Sequence, residues 1–242
     1  MITTPLQGGI TGAASWVGSR FSSIFRSDRL RQEMEELMIK NSLLEIENER
    51  LLQAEEENAL LTALLDMASI YEELPTVGAR VIAKDPNNWH DRYIIDKGEN
   101  DGIRPNMAVI GIGGLLGVVR DVYPTSSTVV TIIDNGCAVA VVNKRTEDIG
   151  VVRGDLGLMP QGRSRMEYIE AEGQIMPGDE LYTSSHSSIF PESILVGVVE
   201  SVASDDNGLT RYAIVRPEVE LNNVGAVLVV FQVYEDYDGV GD

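Results

Sequence analysis

Cysteine, histidine, aromatic and basic residues are all scarce in this chain of 242 residues, and each shortage closes off a class of function. One cysteine, Cys137, allows no intrachain disulfide; with two histidines, His90 and His186, ligands are too few for a closed zinc site. Aromatics are 6% of the chain, so the core drawn from its 43% hydrophobic residues must be aliphatic. Lysine and arginine number 19 against 38 acidic residues, a formal net charge of −19, which argues against nucleic acid and its need for basic neutralisation. No run approaches the roughly 18 apolar residues of a membrane span, and no signal peptide is evident. There is neither a Gly-x-Ser-x-Gly elbow nor a His-Glu-x-x-His helix. His186 has serines on both sides, but a triad is defined by geometry and an orienting carboxylate, not by adjacency. His90 stands in a polar loop, and the glycine-rich 111–117 stretch runs from strand to strand, opening no helix that could cradle phosphate. Cys137 begins an apolar run and reads as a small core residue. These residues imply no enzyme, no cofactor and no metal.

Proline and glycine are also missing from 27–73, and there the absence is constructive. Good helix formers dominate, with Ser27 or Asp28 placed to cap the start and Pro75 with Gly78 to end it. Leucine returns every seventh residue at Leu30, Leu37, Leu44 and Leu51, and again at Leu65. Four residues after the first four of these stand Met34, Asn41, Asn48 and Glu55. Leucine at d and polar residues at a describe a heptad seam, and asparagine at a favours a two-stranded coil. After Leu51 the step shortens and Ala54, Asn58, Leu61, Leu65 and Ala68 continue the seam, a stammer that overwinds it. The predicted self-association surface is Leu30, Met34, Leu37, Asn41, Leu44, Asn48, Leu51, Leu61 and Leu65. Residues 1–26 carry Trp16, Phe21 and Phe25 beside Arg20 and Arg26, which suits either a juxtamembrane stretch or a flexible leader.

After Pro75 the period changes from seven to two. Apolar β-branched runs recur at 79–83, 93–95, 109–112, 117–119, 129–133, 138–142, 149–152, 166–169, 195–202, 211–215 and 226–233, separated by turn residues such as Asn135-Gly136 and Pro177-Gly178. No helical segment separates them, so the sheet is antiparallel and small barrels are expected. Leu116-Gly-Val-Val-Arg-Asp-Val122 matches Val196-Gly-Val-Val-Glu-Ser-Val202, each after a proline-containing turn and a short strand, and the second copy has extra length at 184–193. The predicted architecture is mainly β with a long N-terminal coiled-coil helix and two small antiparallel β-barrel domains. Its segments are a leader 1–26, helix 27–74, first barrel 75–150, second barrel 151–234 with a last strand able to return to the first, and an acidic tail 235–242. Ile189, Phe190 and Pro191 form a candidate partner loop, Phe190 being either an exposed anchor or a plug for the second barrel.

The order of these features closely resembles the MreC family of bacterial cell-shape-determining proteins. The resemblance rests on Ala79-Arg-Val-Ile-Ala-Lys-Asp-Pro-Asn-Asn-Trp89, Asp96-Lys-Gly-Glu-Asn-Asp-Gly-Ile103, Gly114-Leu-Leu-Gly-Val-Val119, Gly178-Asp-Glu-Leu181, Ile189-Phe-Pro191 and Val196-Gly197. Asn106 and Ser193 stand where the family usually has glycine, and the serines and histidine at 185–188 replace a glycine-containing loop. The resemblance implies a dimeric, non-enzymatic scaffold of cell elongation on the outer side of the inner membrane. It implies MreD, the MreB system and a class B penicillin-binding transpeptidase as partners, and a membrane anchor lying outside this chain. Arg20, Arg26, Arg29 and Arg31 run against the positive-inside tendency in that arrangement. Uncovered edge strands would offer a route to filaments. The alternative is a periplasmic adaptor of an export system, although such adaptors carry a helical hairpin and one helix is read here.

Overall fold

The computed structural model describes residues 11–84, 92–170, 172–187, 189–204, 210–222 and 224–231, with side chains of the first helix described from residue 29. His90, Trp89 and the acidic tail lie outside that set, as do the side chains of the aromatics of 1–26.

Helix α1 spans Thr11–Ile70. It therefore starts earlier than the Ser27 or Asp28 cap expected from sequence, and both residues lie inside it. No proline interrupts 11–70, and the glycines Gly12 and Gly18 each weaken a helix by only about 1 kcal/mol without stopping it. After Ile70 the chain turns through Leu74, whose N–H donates to the Tyr71 carbonyl at 2.9 Å, and Pro75 closes off further helix. The chain divides into two compact units, residues 1–58 and 59–242, so the last turns of α1 belong with the β structure.

Twelve strands are described: β1 Thr76–Lys84, β2 Arg92–Ile95, β3 Ala108–Gly111, β4 Gly114–Val122, β5 Ser127–Thr131, β6 Ala138–Asn143, β7 Ile149–Gly154, β8 Ser164–Glu170, β9 Glu180–Thr183, β10 Leu195–Ser204, β11 Thr210–Pro217 and β12 Ala226–Val230. They close two antiparallel barrels, in the orders β1-β12-β3-β4-β5-β2 and β10-β11-β8-β7-β6-β9. Closure removes the free edges on which strand-to-strand filament growth was expected to rely; in the described barrels each strand has a neighbour on both sides.

The division between the barrels differs from the sequence reading. β6 and all of β7 belong to the second barrel, so the crossing lies at 132–137 and not at 150. Asn135-Gly136 reads locally as a hairpin turn, but here it carries the chain from one barrel to the other. Ile132 donates its N–H to Leu116 at 3.0 Å in the first barrel, while its carbonyl accepts from the Ser164 hydroxyl at 2.8 Å in the second. The first barrel takes β12 as its sixth strand, paired with both β1 and β3.

The internal repeat is real in three dimensions. Matching β7, β8, β9, β10, β11 and β6 to β1, β2, β3, β4, β5 and β12 reproduces every neighbour relation in the strand orders, so the barrels differ by a circular shift of one strand. Both long hairpins carry a register shift at the same place, at Arg120 in β4 and Glu200 in β10. Gly117 and Gly197 match as well. A Cβ at either would run into a carbonyl of the paired strand, that of Val130 or of Arg216.

The core is aliphatic, as composition requires, with Ile95, Ile110, Leu115, Val119 and Val229 in one barrel and Val141, Met166, Leu181, Val199 and Val215 in the other. β12 is buried at every residue, whereas β6 and β7 alternate. Leu60, Leu64, Met67 and Ala68 pack on that core from the end of α1, with Leu64 over Gly78 and Leu60 beside Gly225.

Candidate functional site

Two surfaces draw on the residues singled out by sequence. The first is the seam of α1. Within 1–58, Leu30, Leu37, Leu44 and Leu51 are 53 to 62% exposed, Met34 is exposed, and so are Asn41 and Asn48. The Asn41 amide donates to Glu45 at 3.1 Å within the helix, leaving its a-position role open. Leu61 and Leu65 are also exposed, but Ala68, read as part of the same seam, packs on the barrels. Sequence reasoning followed 61-65-68 and missed the adjacent stripe Leu60, Leu64 and Met67, which has the same helical spacing and faces the β structure. Two neighbouring apolar stripes were the available signal that this end of the helix has something to cover.

The second surface is a groove of about 830 Å³ within 59–242. Its walls are the end of α1 with the 71–74 turn, the β3–β4 turn at Gly111 and Gly113, Tyr182 of β9, and the loop 191–195. The β3–β4 turn lies close against the second barrel, and a Cβ at Gly113, whose φ is +96°, would meet the Glu218 carbonyl at 2.6 Å. Half-burial and the neighbouring Tyr182 push the Tyr71 phenol up from its ordinary pKa, which keeps the hydroxyl neutral.

The candidate loop Ile189, Phe190, Pro191 divides at this groove. Phe190 is 4% exposed and belongs to the core, so it plugs the barrel and presents no aromatic anchor. Pro191 lines the groove with Glu192 and Ser193. Thr183 pins the loop: its hydroxyl donates to the Pro191 carbonyl at 2.5 Å and accepts from Ile194 N–H at 2.9 Å, and its carbonyl accepts from Ser193 N–H at 3.1 Å. Ser193 has φ +68° and Asn106 also +68°, so both departures from glycine noted in the sequence sit in the left-handed conformation that glycine serves best.

The specific sequence blocks prove to be turn chemistry. Asp96 accepts from Arg80 N–H at 2.8 Å, and Asp101 from Gly98 N–H at 3.0 Å. Asp179 is nearly buried and takes both arms of the Arg145 guanidinium at 2.7 Å, with Asn143 at 2.7 Å and Met176 N–H at 2.9 Å. Those donors, Arg145 first, hold its carboxyl down to about 2. Burial pushes the Cys137 thiol up to about 12, leaving it a core residue without thiolate character. The Ser184 hydroxyl lies 3.1 Å from His186 Nδ1, but the same oxygen accepts from His186 N–H, and no described carboxylate bonds to the ring. That is a local turn. Among the described residues no helix is long and apolar enough to cross a membrane.

Comparison with known proteins agrees with this architecture. Residues 81–231 match the family described as "Rod shape-determining protein MreC, barrel core". The cell shape-determining protein MreC of Listeria monocytogenes is 27% identical over 91% of this chain and 73% of its own length. That of Escherichia coli is 30% identical over 92% of this chain and 58% of its own length. The chain thus spans between about half and three quarters of such relatives. The crystal structure of MreC from Pseudomonas aeruginosa aligns with a TM-score of 0.60 at 28% identity, covering 65% of this chain and 99% of that one. A structure of the major periplasmic domain from "the cell shape-determining filament MreC" aligns at 0.58 and 25% identity, over 64% of this chain and 95% of that one. MreC in complex with penicillin-binding protein PBP2 from Helicobacter pylori aligns at 0.52 and 14% identity, over 65% and 98%, a likeness of fold alone.

Proposed function

The chain belongs to the MreC family of rod shape-determining proteins, and from that premise we propose that it is a non-enzymatic, dimeric scaffold of the cell-elongation machinery. It works outside the cytoplasmic membrane, where it organises peptidoglycan synthesis. The observation that carries this reading is the uncovered leucine row Leu30, Leu37, Leu44 and Leu51, an apolar seam that a second helix would bury. Asparagine at two successive a positions selects a two-stranded partner at some expense of stability. Dimerisation doubles the barrels on display and raises effective concentration for a partner without new chemistry.

One relative supports a penicillin-binding partner. MreC of Helicobacter pylori is seen with PBP2, and the domain described as a filament is periplasmic. For this chain we infer a penicillin-binding transpeptidase as one partner, with MreD and the MreB system beside it, and membrane attachment through an anchor outside the residues given. Filament growth, if it occurs here, runs through faces of the barrels or through the helix, since the barrels are closed. The export-adaptor alternative is less favoured: among the described residues there is one α-helix, and the relatives compared above are cell shape-determining MreC proteins.

Sedimentation equilibrium tests the reading. The full chain is expected at twice its 26.4 kDa, and a chain starting at Ala59, which keeps the Leu60, Leu64 and Met67 packing, at monomer mass. Asn41→Leu with Asn48→Leu shifts the mass above dimer while the barrels stay folded. A monomeric full chain would overturn the seam.

A further inference from the structure

We propose that the groove between the end of α1, the β3–β4 turn and the 191–195 loop docks a short peptide segment of another protein that presents lysine or arginine side chains around an aliphatic or aromatic anchor. Met67, Ile70, Leu74, Pro191 and Leu195 give the groove its apolar lining, and a volume of about 830 Å³ falls within the range of ligand sites. The charged residues of the lining are Glu72, Glu73 and Glu192, all exposed; among the described residues no lysine or arginine lines it.

One further feature gives the same sign. The last turn of α1 carries no basic residue, so the negative end of a long helix faces this region uncompensated. Lys144 already places its ammonium 4.9 Å from the Tyr182 ring centroid, and within 3.4 Å of Glu180. The lysine beside the Tyr182 wall is thus already paired within the chain, and the three glutamates of the groove keep their charge for a partner. Thr183 fixes the loop wall before anything binds, so docking orders little of the protein. This proposal rests on the scaffold reading only in taking the occupant to be a protein, and the mass measurement above tests that reading without involving the groove.

Fluorescence anisotropy with the full chain decides it, using labelled peptides Lys-Leu-Lys-Phe-Lys-Leu and Glu-Leu-Glu-Phe-Glu-Leu as probes. The lysine peptide binds and the glutamate peptide does not. Glu72→Lys with Glu73→Lys and Glu192→Lys weakens binding by about tenfold or more, whereas Glu35→Lys with Glu36→Lys and Glu49→Lys, an equal charge change on the side of 1–58 away from the seam, changes it by less than about twofold. Ser69→Trp, which fills the groove from the exposed side of the helix, weakens binding about tenfold with no change of charge and decides the matter if the triple variant does not fold. No binding of the lysine peptide, equal binding of both peptides, or equal loss in the two triple variants would overturn the proposal. So would a drop in oligomeric mass on the groove reversal, which would make the occupant a second copy.

Discussion

The two barrels have the same strand pairing but obtain it from different parts of the chain. In the second barrel, β6 and β7 are a hairpin pair closed by a local turn. Their counterparts in the first barrel, β12 and β1, come from opposite ends of the β region, and the end of α1 lies over them. The other large difference is the connection between the third and fourth strands of each unit. Between β3 and β4 it is Ile112-Gly113; between β9 and β10 it is residues 184–194. Pairing geometry tolerates little change, since each strand must meet two neighbours, but a surface connection can lengthen freely. The lengthened one forms a wall of the groove.

The equivalence of the barrels is broken most severely at their shared glycines. Gly117→Val and Gly197→Val should each destabilise by roughly 3–5 kcal/mol, because the new side chain meets the backbone of the adjoining strand and cannot be relieved by a rotamer change. Urea titration should give losses of similar size for the two; a mild effect at one site would mean the barrels are not equivalent there. Next in size is the non-local closure of the first barrel. Met67→Ala removes a side chain only 4% exposed and should cost about 2–4 kcal/mol in thermal unfolding. Leu44→Ala, on the exposed seam, should leave barrel unfolding unchanged and weaken self-association instead.

A smaller effect belongs to the second barrel alone. The Asp179 carboxyl is held down to about 2 in the folded chain, below its unfolded value, so its pairing with Arg145 contributes above that unfolded value. The contribution, roughly 1 kcal/mol after solvent screening, is lost as pH falls from about 4 to about 2. Asp179→Asn should flatten the acid limb of the stability curve over that window. The smallest change has the opposite sign. Ser193→Gly should stabilise by about 0.5–1 kcal/mol by relieving a left-handed serine, and Asn106→Gly by less, since asparagine tolerates that conformation better.

Much of this was legible from residues. The change of period after Pro75, the strand runs and the Leu116/Val196 repeat located the barrels, because alternation and turn chemistry are local properties. The 132–137 crossing was not legible, since Asn135-Gly136 has the same local chemistry whether it closes a hairpin or joins two barrels. Phe190 could be read as anchor or plug until burial chose the plug. The start of α1 was placed too late because a good cap at Ser27 was given more weight than the absence of proline from 11 to 26. The groove had no signature at all: its walls come from residues 67–74, 111–113, 182 and 191–195, which nothing in the linear order brings together.

By itself the sequence determined the long helix, its leucine seam, the aliphatic barrel strands and the turns between them, for each depends on neighbours a few residues apart. Tertiary structure alone decided which strands share a barrel, that β12 returns to complete the first, and that one stripe of α1 is covered while the next is free. Those outcomes depend on contacts between distant segments, where closure of a sheet and burial of its outer face select among arrangements that local propensity leaves equal.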